Sequence, residues 1–128
     1  MNDNASTPAI HRSVMLDGRP VGPDTPKPLY LVTVLGIIGR KDPLSVFNRR
    51  CIGFFYELAV AEYAIAINEL DMQDSTYEYA VVEECVPGVY CAGSSLIRSW
   101  FQYNVEKAAF ARCDTPEQYA RTISFGIG

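Results

Sequence analysis

FNRRCIGFFYELAVAEYAIAIN, Phe47 to Asn68, decides how the chain folds, because it changes period halfway along. In its first part, period two puts Val46, Asn48, Arg50, Ile52 and Phe54 on one side of an extended chain and Phe47, Arg49, Cys51, Gly53 and Phe55 on the other. Arg49 and Arg50 therefore point to opposite faces, and they are not both edge charges on one wet surface. From Tyr56 to Asn68 the residues are good helix formers, and Glu57 and Glu62 are the charged ones. A helix apolar around most of its circumference is not covered by one sheet face. It is either sandwiched deeply or part of an oligomer interface, and Ala59, Ala61, Ala64 and Ala66 allow close approach.

Upstream, Tyr30–Leu35 (YLVTVL) is β-branched and apolar, closes at Gly36, and reads as a buried strand. Residues 1–28 contain Pro8, Pro20, Pro23, Pro26 and Pro28, show no regular period, and read as an extended or disordered arm ahead of one domain spanning 29–128. Downstream come an acidic turn (Glu69 to Ser75), a central strand (Tyr77 to Cys85), a Pro-Gly turn (Val86 to Tyr90), and strands at Ser99–Asn104 and Lys107–Arg112. Asp114 or Thr115, with Pro116 and Glu117, opens a short second helix over about 115–121. Ile123–Ile127 reads as a last short strand. The order β-β-α-β-β-β-α-β is not the alternation of a doubly wound fold. It predicts an α+β domain, an antiparallel or mixed sheet with the helix of about 56–68 packed on it.

The 128 residues suffice for one domain, and 11 basic against 15 acidic side chains give a net charge of −4, which argues against duplex-DNA binding by phosphate neutralisation. The charge is segregated. Residues 57–91 carry Glu57, Glu62, Glu69, Asp71, Asp74, Glu78, Glu83 and Glu84 with no Lys or Arg. Such a segment pairs with the chain's own basic residues, with another subunit, or with a partner. Cys51, Cys85, Cys91 and Cys113 form no CxxC pair and follow no signal-peptide pattern, so they read as reduced thiols of a cytoplasmic protein. No apolar run approaches the roughly 20 residues of a membrane span.

Catalytic patterns are sparse. The single histidine, His11, lies in the arm, so a Ser-His or Cys-His relay lacks its base. Gly93-Ser94-Ser95 is not a nucleophile elbow, and the acidic turn lacks calcium-loop spacing, so neither a cofactor nor a metal is expected. Arginine and aromatic groups remain. Guanidinium groups grip phosphates and aromatic rings stack on bases, which makes Arg49, Arg50, Arg98, Trp100 and Tyr103 the candidate ligand-binding residues. Equally, the rings fit a core and the arginines fit ion pairs with the acidic segment.

Taken together, RRCIGFF (49–55), the Ala-rich helix, EYAVVEECVPGVY (78–90), WFQYN (100–104), the Thr-Pro-Glu turn (115–117) and the terminal SFGIG (124–128) resemble a family of small phage, prophage and mobile-element proteins with an FGIG-like tail. The resemblance covers about residues 30–128. That family has no settled activity, so it implies a setting and no catalytic residues. The setting makes the first expectation a non-enzymatic counter-defence protein in the bacterial cytoplasm. It would be a homo-oligomer that sequesters a small anionic, nucleotide-like ligand in an Arg and aromatic pocket. The alternative is an inhibitor of a host enzyme that acts through the acidic 57–91 surface. A third is a nucleotide-processing enzyme with Glu83 or Glu84 as base.

Overall fold

The computed structural model describes residues 14–16, 19–21, 27–42, 48–87, 96–122 and 124–126. His11, Cys91, Gly93-Ser94-Ser95 and the final Ile127-Gly128 lie outside them. Among the described residues there are seven strands, β1 (Val14–Leu16), β2 (Arg19–Val21), β3 (Leu29–Leu35), β4 (Arg49–Phe55), β5 (Tyr79–Cys85), β6 (Leu96–Asn104) and β7 (Ala109–Cys113), and one α-helix, α1 (Leu58–Ala66). The last five strands make one sheet in the order β4-β3-β5-β6-β7, antiparallel throughout. The fold is α+β, and the expectation of an antiparallel or mixed sheet resolves to antiparallel.

Within the expected arm, β1 and β2 pair antiparallel. The signal was in the sequence: Leu16 pairs with Arg19, and the intervening Asp17-Gly18 is a dipeptide favoured in two-residue hairpins.

β3 and β5 are central strands with side chains buried on both faces, which is why LYLVTVL and YAVVEEC read as nearly continuous apolar runs. On one face Val32, Val34, Ala80, Val82, Phe101 and Phe110 pack against Ala61 and Ile65 of α1. On the other, Leu35, Tyr79, Val81 and Trp100 meet Tyr119 and Phe125 from the C-terminal segment. α1 crosses over β3 to join β4 to β5, so one side of the helix is covered. Glu57 precedes it in extended conformation with no side-chain cap, and Asn68 beyond it is left-handed (φ 50°), which stops the helix at both ends inside the expected 56–68.

Two further expectations are corrected. The helix expected over 115–121 is a single 3-10 turn, Glu117–Tyr119, because burial of Tyr119 and Pro116 pins the segment against the sheet before a longer helix can form. Of the strand expected over 123–127, residues 123 and 127 lie outside the described residues, and within 124–126 Ser124 is irregular and Phe125-Gly126 form a bend. Their backbone donors go to a side chain instead. The Phe125 N–H donates to Glu83 Oε2 at 2.8 Å and the Gly126 N–H to Glu83 Oε1 at 2.7 Å.

Glu83 is fully buried in the middle of the sheet. A buried carboxylate is costly unless it is hydrogen-bonded, and these two charge-assisted bonds supply that compensation while anchoring the tail. A Cβ at Gly126 would lie 3.0 Å from Thr33 Oγ1 and 3.3 Å from Glu83 Oε1, so only glycine brings the backbone this close. Two outcomes are expected in urea unfolding followed through the single tryptophan. Glu83→Gln, which turns an amide donor toward one of the two N–H groups, should cost about 1–3 kcal/mol. Gly126→Ala should destabilise by a comparable amount, whereas Gly39→Ala, which meets nothing within 4 Å, should show only the strain of its positive φ.

Candidate functional site

The sequence-derived site residues are dispersed by the fold. Arg50 and Arg49 do fall on opposite faces: Arg50 lies across from Val34 of the helix-side core, and Arg49 across from Leu35 of the other core. Both are exposed, and neither makes an ion pair among the described residues. Trp100 is buried under the C-terminal segment, stacked on Tyr119 (centroids 5.5 Å apart, planes at 14°) and edge-on to Phe125 at 5.2 Å. Tyr103 is half-buried on the helix side, edge-on to Phe110 at 5.1 Å. Arg98 Nε sits 3.4 Å from Glu84 Oε1 on the neighbouring strand. Trp100 therefore belongs to a core, and Arg98 is held within its own sheet.

The alternation expected along β4 is broken by a bulge. Val32 pairs with Gly53 and Thr33 with Cys51, which leaves Ile52 as the extra residue. Arg50, Ile52, Gly53 and Phe55 consequently share the helix side, and Phe55 rather than the expected Phe54 joins Arg50 there. Phe54 pairs with Leu31 and is exposed.

These β4 residues form one wall of a cavity of about 320 Å³, closed by Ala64 of α1 and by Glu69, Leu70, Asp71, Met72 and Asp74. Its floor is apolar and its rim carries three carboxylates and one guanidinium. Each carboxylate at 4 Å from an anion costs roughly 1–4 kcal/mol at surface dielectric values, so three against one make the cavity inhospitable to phosphate and receptive to a cation.

The rim is an unusual piece of backbone. Asn68, Leu70, Asp71, Asp74 and Ser75 all have φ between 50° and 55°, a region that is cheap for Asn and Asp and costs leucine of order 1 kcal/mol or more. Side chains hold it in place. Asn68 Oδ1 accepts from the Gln73 N–H at 3.0 Å, Gln73 Oε1 accepts from the Ser75 N–H at 3.0 Å, and Gln73 Nε2 donates to the Tyr77 carbonyl at 3.1 Å. The result holds Leu70 out in solvent, 95% exposed, between Glu69 and Asp71. In the sequence this stretch showed only as an acidic turn. Its Asn and Asp content was the available signal of left-handed backbone.

The eight carboxylates of 57–91 divide by role. Glu83 holds the tail, Glu78 Oε2 accepts from Gln102 Nε2 at 2.9 Å, Glu84 pairs with Arg98, and Glu62 Oε1 lies 2.9 Å from Arg112 Nη2. Arg112 also covers the Phe101 ring at 5.1 Å. Glu57, Glu69, Asp71 and Asp74 are exposed and make no ion pair among the described residues. Both oxygens of Glu83, considered above as a base, are occupied. Among the described residues no three His, Cys, Asp or Glu side chains converge on a metal position, and no helix is long and apolar enough to cross a membrane.

Burial, and then the Glu83 carboxylate, push the Cys85 thiol from 9.0 to about 11. Burial, and after it Asp114, raise the Cys113 thiol as well, so both stay protonated and unreactive at neutral pH. Tyr119 is pushed by burial, and next by Tyr79, to about 12. Groups raised in the folded state contribute stability that is complete below their unfolded pKa and is lost as pH climbs through the folded one. The urea midpoint should therefore hold from about pH 7 to about 8.5 and fall between about 9 and 12, and Cys85→Ala should flatten the first part of that fall.

Comparison with protein-family models, with curated proteins and with solved structures gives no match.

Proposed function

We propose that the protein is a non-enzymatic interaction module that engages a partner protein through the acidic surface around residues 57–74. In the phage setting implied by the sequence resemblance, this is a counter-defence inhibitor of a host protein in the bacterial cytoplasm. The observation that carries the reading is the turn at 68–75. A leucine held 95% exposed on strained backbone, flanked by carboxylates that make no ion pair among the described residues, is a poor solution for stability and a good one for recognition. A partner presenting Lys or Arg beside an apolar contact satisfies both features, and complementary charge accelerates encounter.

One observation favours a second reading, sequestration of a small anionic nucleotide-like ligand: Arg50 lines the cavity beside Phe55 with no ion-pair partner among the described residues. The local balance of three carboxylates to one guanidinium ranks it second.

The test is capture of partners from bacterial lysate on immobilised protein, with salt elution. Replacing Glu69, Asp71 and Asp74 by their amides should abolish the salt-eluted fraction. Leu70→Gly should reduce capture while leaving stability unchanged or raised by about 1 kcal/mol, since glycine adopts left-handed backbone without penalty. Undiminished capture by the amide variant refutes the interaction reading. Native mass spectrometry against a pool of nucleotides and cyclic nucleotides addresses the second reading and reports the oligomer size. A ligand mass gained by the wild type and lost in Arg50→Ala would establish it, and no mass gain is expected.

A further inference from the structure

The solvent side of α1 carries no charge. Ala59, Val60, Tyr63, Ala66 and Ile67 are exposed there, with Val60, Tyr63 and Ile67 at 48%, 64% and 50%, and Tyr56 just ahead of the helix is 71% exposed. Positions 56, 60, 63 and 67 follow the 4-3-4 spacing that lines up on one side of a helix. The sheet covers Ala61, Ala64 and Ile65, and Glu62, the one charged residue within the helix, is turned aside to Arg112. A nine-residue helix that is apolar on its outer side as well as its inner side is built to be covered twice.

The charges at its ends say by what. Glu57 stands at the N-terminal end and Glu69, Asp71 and Asp74 at the other, all exposed, and the chain has no Lys or Arg between Arg50 and Arg98. A second copy laid antiparallel along α1 would bring Glu57 of each molecule toward Glu69 and Asp71 of the other, like charge against like. An anionic lipid surface would be repelled in the same way. We infer that the outer side of α1 is the seat of an amphipathic helix of a partner protein, apolar along its middle and carrying Lys or Arg at both ends. The helix itself, Leu58 to Ala66, is about 14 Å long at 1.5 Å per residue, and Glu57 and Glu69 lie just beyond its two ends, so the partner's basic groups stand at least about nine residues apart. Beyond the end of the helix the exposed Leu70 lies at the rim of the cavity, where one of those basic side chains enters among Glu69, Asp71 and Asp74.

This inference rests on the interaction reading and narrows it to one class of partner. Its probe is a synthetic 18-residue helical peptide with Leu and Ala on one side and Arg at both ends, titrated calorimetrically into the full-length protein. Binding is expected, with at least a tenfold loss in the double variant Val60→Gln/Tyr63→Gln and no binding of the same peptide carrying Glu in place of Arg. Both substituted residues are exposed, and an unshifted tryptophan emission maximum verifies that the fold is kept. The inference is overturned if the wild type ignores the peptide, if the double variant binds it equally well, or if native mass spectrometry shows a wild-type dimer that the double variant dissolves. Binding that resists the double variant but is lost on neutralising Glu69, Asp71 and Asp74 removes the helix seat and leaves the acidic-surface reading standing. Lysate capture that survives that neutralisation removes the reading itself.

Discussion

A carboxylate in the middle of the sheet ties the molecule together. Glu83 sits on a central strand with no contact with solvent, and its two oxygens take the Phe125 and Gly126 amides. Without those donors the charge would be stranded in a low-dielectric core, and without the charge the tail would have two unpaired N–H groups against an apolar face. Each solves the other's problem, so the C-terminal segment substitutes for a second helical layer. Behind it Trp100, Tyr79, Tyr119 and Phe125 form a continuous aromatic cluster that closes this side of the sheet.

That arrangement leaves the two faces unequal. The tail side is sealed over the central strands by large rings and a satisfied carboxylate, while the helix side is sealed by a short helix whose outward surface is as apolar as its inward one. The helix side also carries left-handed backbone at Leu70 and Asp71, four exposed acids with no ion pair among the described residues, and Tyr56 and Tyr63 in water. Natural domains keep strain and exposed apolar surface where another molecule uses them. The asymmetry is the physical basis for placing recognition on α1 and the turn that follows it rather than on the arginine strand.

Much of the fold was legible from local pattern. Strand β3 and the central strand β5 declared themselves as short β-branched runs, α1 as a stretch of helix formers, and β6 and β7 as aromatic-rich strands around a polar turn. The separation of Arg49 from Arg50 followed from the two-residue period, since it depends on adjacent residues alone. The apolar circumference of α1 was also visible as composition, which left open a helix sandwiched deeply or one at an oligomer interface.

What the chain order alone did not contain were facts about meeting. Whether Trp100 faced solvent or a core depended on Phe125 and Tyr119 arriving from more than fifteen residues away, and they turned a candidate stacking ring into a packing element. Which of the eight acids in 57–91 were idle depended on where Arg98, Arg112, Gln102 and the tail amides landed. The bulge at Ile52 exchanged Phe54 for Phe55 beside Arg50, because register is set between strands and not along one. Propensity and periodicity, being local, determined the elements and the α+β class. Pairing, burial and charge compensation are long-range, and only the tertiary structure decided that Arg98 and Arg112 would be held by Glu84 and Glu62 and that the acidic turn would rim the cavity.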